Sequence, residues 1–164
     1  MTDPSIRDAT PDDLAFLITM AVEAADWDGT RGTTAESLRA DAAAWHYLKG
    51  WQRATDFGVV ALDGERPVGA AWARFLGKDD AGYGYVSDSI PELTVAVATD
   101  ARRSGIGTLV LADLIEAARG QGLEGLSLSV EDGNTRARAL YEKAGFVAVG
   151  RNGNSDTMLL RLQP

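Results

Sequence analysis

Pro91-Glu-Leu-Thr-Val-Ala-Val-Ala-Thr-Asp-Ala-Arg-Arg-Ser-Gly-Ile-Gly107 decides the reading of the fold. Glu92–Ala98 has the apolar, β-branched run of a strand. From Gly105 to about Arg119, Ile106, Leu109, Val110 and Leu114 recur at helical spacing, and Gly120 and Gly122 end the run. Arg102-Arg-Ser-Gly-Ile-Gly107 therefore joins a strand directly to a helix. Gly105 and Gly107 lack Cβ, so the backbone there can curl and approach a ligand closely. The unpaired N–H groups of a helix start converge on one spot, and the macrodipole favours an anion there. Arg102 and Arg103 add positive charge. Chemically this is a cradle for a pyrophosphate. A Gly-rich helix start with no ligand fits the turn equally well. It is not a Walker A loop, since no Gly-x-x-x-x-Gly-Lys occurs, and no third glycine completes a dinucleotide fingerprint.

Working outward, Ser5–Ala9 reads as a first strand, and Thr10-Pro-Asp-Asp opens a helix with Leu14, Leu17, Ile18, Ala21 and Val22 on one side. Trp27-Asp28-Gly29 breaks it. Thr34 to about Lys49 predicts a second helix, with Leu38, Ala42, Trp45 and Leu48 along one face. Phe57–Leu62 and Pro67–Phe75 form a hairpin about Asp63-Gly64. Gly77–Ile90 reads as a loop. Leu126–Val130 alternates like a half-buried strand, Thr135–Ala144 is a helix stopped by Gly145, and Phe146–Gly150 and Met158–Leu162 close the chain as strands. This order predicts one domain over residues 1–164: a mixed α/β fold on one central sheet.

Composition narrows the chemistry. There is no cysteine, which excludes disulfides, a catalytic cysteine and Cys-ligated metals, and suits a reducing cytoplasm. The single histidine, His46, excludes a multi-histidine metal site within the chain. No stretch reaches the length of about 20 apolar residues that spans a bilayer, and the acidic N-terminus is not a signal peptide. The net charge of −8 argues against nucleic acid as a partner and would attract a cationic substrate, although it also serves plain solubility.

The region from Pro91 to Phe146 resembles the GNAT superfamily of N-acetyltransferases in two motifs. The first is the Arg/Gln-x-x-Gly-x-Gly/Ala turn after a Val-x-Val strand, here Val95-Ala-Val97 followed by Arg102-Arg-Ser-Gly105-Ile-Gly107. The second is Asn-x-x-Ala-x-x-Leu-Tyr-Glu-x-x-Gly-Phe, matched at Asn134, Ala137, Leu140, Tyr141, Glu142, Gly145 and Phe146. The motifs cover about a third of the chain. The resemblance implies a mostly antiparallel mixed sheet flanked by helices and splayed where coenzyme A lies. It implies acetyl-CoA as cosubstrate, no metal, and an amine acceptor; a homodimer is a family-level expectation. The pantetheine arm would pair with backbone of Val95, Ala96 and Val97. The pyrophosphate would sit on the turn of Arg102, Arg103, Ser104, Gly105, Ile106, Gly107 and Thr108. Asn134 would contact pantetheine, and Tyr141 would lie near the sulfur.

Amine acetylation needs a neutral amine, a stabilised carbonyl oxygen and a proton for the leaving thiolate. Glu92, at the start of the strand, is the candidate base; the alternative is an exposed strand-start carboxylate. Asp88 and Glu131 are weaker candidates. Tyr141 is the candidate acid, since a phenol stays protonated at neutral pH; the alternative is a core tyrosine. His46 reads as structural. Trp27, Tyr83 and Tyr85 are candidates for the acceptor side, and Asp79, Asp80, Asp88 and Glu92 form an acidic group around the loop. Two rival readings remain: a non-catalytic acyl-CoA-binding module of the same fold, and an unrelated nucleotide-binding α/β domain.

Overall fold

The structure is a computed structural model describing residues 3–102 and 104–162. Strands β1 (Ser5–Asp8), β2 (Phe57–Asp63), β3 (Arg66–Arg74), β4 (Glu92–Val97), β5 (Gly125–Glu131), β6 (Val147–Asn152) and β7 (Ser155–Arg161) form one sheet in the order β1-β2-β3-β4-β5-β7-β6. All neighbouring strands except β4 and β5 are antiparallel, β2–β3 and β6–β7 through tight turns. The pair β4–β5 is parallel, because the long helix α4 (Ile106–Gly120) crosses between them.

That pair is also the weak seam. β5 matches β7 residue for residue from Gly125 to Glu131, and β4 matches β3 from Glu92 to Val97. Between β4 and β5 the register holds only Glu92 against Ser127, with Ser127 N–H donating to Pro91 O at 3.1 Å. The strands then part, and the β5-facing edge of residues 93–97 has no ladder partner among the described residues.

Helices cover both faces. α1 (Leu14–Ala25) and α2 (Ala35–Ala40) pack Leu17, Ile18, Met20 and Leu38 onto Val60, Trp72 and Ala96. On the other face α4 buries Ile106, Val110, Leu111 and Leu114 against Val59, Ala71 and Leu128, joined by Tyr141 and Phe146 at the end of α5 (Thr135–Ala144). The first helix begins as expected. Thr10 N–H donates to Asp13 Oδ2 at 2.7 Å, and Arg7 grips the same carboxylate, holding it below the usual carboxylate range.

The helix expected over residues 34–49 is instead two. It breaks at Asp41, whose φ of −100° and ψ of 106° are extended. The physical reason is the side chain: Asp41 Oδ1 accepts from Ala43 N at 3.1 Å, so it caps α3 (Ala42–Trp45) rather than continuing α2. The segment after α3 is pinned from below. Arg74, 1% exposed, donates to the carbonyls of His46 and Lys49 at 2.9 and 2.6 Å and forks onto Asp56 at 2.9 and 2.6 Å.

Removing one member of such a pair leaves an uncompensated buried charge. Asp56→Ala should cost about 3–5 kcal/mol in denaturant unfolding. Arg66→Ala, which breaks the exposed pair with Asp100, should cost under about 1 kcal/mol. Equal losses would contradict the role assigned to the buried pair.

Candidate functional site

Where β4 and β5 part, a cleft of about 1000 Å³ opens. Val95, Ala96 and Val97 line one wall, Ser129, Val130 and Glu131 the other, and the first residues of α4 and α5 meet it from the carboxyl ends of the strands. Gly105 precedes α4 with φ of +83° and, having no side chain, leaves the helix start uncapped. A Cβ there would meet nothing within 4 Å, so the backbone angle, not space, asks for glycine. The first intrahelical bond runs from Leu109 N–H to Gly105 O at 3.1 Å. The N–H groups of Ile106, Gly107 and Thr108 precede it and are available to an anion.

The expected ligand-binding residues fall into distinct positions. Val95, Ala96, Val97, Gly105, Ile106, Gly107 and Thr108 all border the cleft, with the Ile106 side chain itself in the core. Arg102 borders it too, but its guanidinium donates to Glu23 Oε2 of α1 at 2.8 Å. Ser104 turns its hydroxyl back to Ala101 O at 2.5 Å and lies outside the lining. Arg103 lies outside the described residues. Asn134 borders the cleft and caps α5, Oδ1 accepting from Ala137 N at 3.4 Å. Tyr141 borders the cleft from the core: it is 8% exposed, and its ring meets Phe146 edge-on at 6.0 Å. Burial pushes its phenol up to about 12.

Glu92 is not the exposed carboxylate of the alternative reading. It is 3% exposed, and three donors occupy it. Gly82 N–H donates to Oε2 at 2.9 Å, Gly84 N–H to Oε1 at 2.9 Å, and the Tyr47 hydroxyl to Oε1 at 3.1 Å. Tyr47 also accepts from Tyr83 N–H at 3.1 Å; burial first, then the Glu92 charge, hold its phenol well above the usual range. Sequence reasoning passed over Tyr47, which sits in a stretch read as plain helix. The loop after β3 thus closes down where the strands begin to part. A Cβ on Gly82 would come within 2.4 Å of Glu92 Oε1, and one on Gly84 within 2.5 Å of the Leu128 backbone. Thr157 of β7 adds a bond to Tyr83 O at 3.1 Å.

The other acidic candidates do not gather at the cleft. Asp88 accepts from Lys78 N–H and the Tyr85 hydroxyl, and Asp80 faces His46 at 3.0 Å; with Asp79, both stand outside the lining. Glu131 does border the cleft, gripped by the Arg31 fork at 2.7 and 2.5 Å, which holds its carboxyl below the usual range. Arg31 also stands 5.7 Å from the Trp27 ring. Trp27 and Tyr83 line this side; Tyr85 does not. Among the described residues no group of three or more potential ligands could hold a metal ion, and no helix is long and apolar enough to cross a membrane.

A sequence model of the acetyltransferase (GNAT) family matches residues 20–146. The mycothiol acetyltransferase of Geodermatophilus obscurus is 31% identical over 137 residues, 82% of this chain and 41% of that protein. The chain spans under half the length of the curated relatives it matches. Among solved structures, the ribosomal-protein-alanine N-acetyltransferase of Brucella melitensis is 27% identical with a TM-score of 0.67, over 96% of this chain and 98% of that one. The PaiA N-acetyltransferase of Thermoplasma acidophilum, solved with coenzyme A, shares the fold with a TM-score of 0.72 and 17% identity, over 98% and 99% of the two chains.

The fit of the loop to Glu92 makes its own prediction. Gly82→Ala should lose more than about 2 kcal/mol of stability and speed proteolysis between residues 77 and 90, since the methyl displaces loop or carboxylate. Gly120→Ala, where a Cβ meets nothing within 4 Å, should be neutral or stabilising by up to about 1 kcal/mol. A Gly82→Ala protein as stable and protease-resistant as the parent would break the assignment.

Proposed function

The chain belongs to the acetyltransferase (GNAT) family, and from that membership we propose that it moves an acetyl group from acetyl-CoA to a primary amine, with both substrates held in the cleft. The observation that carries the reading is the open edge of β4 running into the uncapped start of α4, with Tyr141 beside it. An open strand edge suits an amide-bearing arm, and three free N–H groups suit a diphosphate. Acetyl-CoA supplies an activated thioester when bound.

The roles of the chain's own residues follow from position. Glu92 is the final acceptor of the proton that the amine loses, reached through the Tyr47 hydroxyl that already donates to it. Backbone N–H groups of Val95–Val97 polarise the carbonyl oxygen. Tyr141 donates to the departing sulfur. Burial favours the neutral phenol, so the donor is in place throughout the neutral and mildly alkaline range. The acceptor amine is cationic before reaction. The net charge of −8 supports this, acting at long range and screened by salt, because Glu23 and Glu131 in the cleft already face Arg102 and Arg31. A cytoplasmic setting and a homodimer belong to the same proposal. The absence of cysteine suits the first, and the exposed Val147 and Val149 of edge strand β6 suit the second.

The test is release of free coenzyme A from acetyl-CoA against a panel of amines. Tyr141→Phe should lower kcat by about 10²–10⁴-fold with acetyl-CoA affinity and melting temperature nearly unchanged. Normal kcat per folded molecule would return Tyr141 to a purely structural role. No turnover with any amine, alongside tight acetyl-CoA binding, would favour the non-catalytic module.

Glu92→Gln should slow turnover most at low pH, where the amine is protonated and needs help, and least as pH nears the free amine value of about 10.4. The buried Tyr141 phenol adds no falling limb below about 12. A pH–rate profile of unchanged shape in folded Glu92→Gln would remove Glu92 from the proton path.

A further inference from the structure

On the far side of α3 from the cleft lies a second cavity of about 530 Å³. The two share a wall: Asp41, Ala43, Ala44 and Tyr47 line the cleft, while Ala42, Trp45, His46 and Lys49 line the second cavity. Its charge is opposite to that of the molecule. Arg39, Lys49 and Arg53 line it beside a single carboxylate among the described residues, Asp80, in a chain of net charge −8. Arginines such as Arg31, Arg74 and Arg151 are matched to carboxylates. Among the described residues none of the three cations here is in an ion pair, and Arg39 only stacks on Trp45, 5.7 Å from the ring.

His46 gives the second observation. It is 9% exposed, it lines this cavity, and its Nδ1 lies 3.0 Å from Asp80 Oδ1. Its Nε2 is buried and meets no hydrogen-bond partner among the described residues. A buried ring nitrogen left alone is costly, and native folds supply a partner. With Nδ1 facing a carboxylate, Nε2 carries a lone pair in the neutral ring and an N–H in the charged one. A hydrogen phosphate group offers both an O–H and acceptor oxygens, and its charge suits the three cations.

We propose that the cavity bounded by Arg39, Trp45, His46, Lys49 and Arg53 is a binding site for a small phosphate-bearing anion, separate from the cleft between β4 and β5. Inorganic phosphate and a phosphomonoester share the chemistry. The monoester's organic part would lie on the Trp45 side, where the cavity has its apolar surface. Because His46 and Tyr47 are consecutive and Tyr47 holds Glu92, an occupant would bear directly on the wall of the cleft.

The single histidine makes the site directly observable. Its imidazole C–H resonances in the folded protein are followed at fixed pH while inorganic phosphate, then methyl phosphate, is added against sodium chloride of equal ionic strength. The expected result is a saturable shift below about 10 mM that chloride does not reproduce. Arg39→Ala, Lys49→Ala and Arg53→Ala, all at exposed positions, should each weaken it about fivefold or more, a charge-assisted contact being lost in each. A tighter response to methyl phosphate assigns the site to a phosphomonoester, and a tighter response to inorganic phosphate to the free ion. Binding at the start of α4 alone would leave the His46 signals unmoved and overturn the proposal, as would a shift that all three variants retain.

Discussion

β4 and β5 begin as parallel neighbours and lose each other after one pair, and the cleft is arranged around that loss. A strand edge inside a protein must find partners for its N–H and C=O groups, because leaving them dry is costly. Here the twist of the sheet and the crossover of α4 leave residues 93–97 turned toward a cleft instead of a neighbour. The helices that follow the two strands bring their amino ends to the same place. One defect in the ladder therefore creates an open peptide edge, two helix starts and a buried phenol within a single volume. No residue of the cleft need be exotic for this to happen; the backbone supplies most of it.

Holding the strands apart, yet not letting the sheet fall in two, falls to buried polar groups. Glu92 collects two loop amides and the Tyr47 hydroxyl at the point where pairing ends. Tyr47 in turn stands on a segment whose carbonyls are held by Arg74, itself neutralised by Asp56. At the open end, Arg31 reaches from the region after α1 to Glu131 at the last residue of β5. The cleft is thus bracketed at one end by a dry, three-donor carboxylate and at the other by a half-exposed ion pair, and only the first is shielded from salt.

Much of this was readable from residues alone, and for a local reason. The strand–turn–helix at Val95–Gly107 and the helix from Asn134 to Gly145 carry their own punctuation: Gly105 and Gly145 both adopt positive φ, and Asn134 caps the helix it begins. What escaped was non-local. Nothing in the composition of residues 34–49 announces that Asp41 will turn its carboxylate onto Ala43 N–H and split the helix. Tyr47 gains its importance from Glu92, 45 residues away. The burial of Glu92 depends on a loop whose glycines were visible but whose destination was not. Of the acidic group expected around the loop, Asp79, Asp80 and Asp88 stay out of the cleft lining because a charge count has no coordinates: each side chain's direction is set by the turn that carries it.

The loop that caps Glu92 has one further consequence. Residues 81–90 contain no helix or strand, and such segments ordinarily trade amide hydrogens with water almost as fast as an unfolded chain. The amides of Gly82 and Gly84, however, donate into a carboxylate at the root of the sheet. To free them the protein must open the seam itself. In isotope exchange these two positions should therefore follow β4 rather than their neighbours in sequence, two points of the sheet's interior set within a segment that has none of its regular geometry.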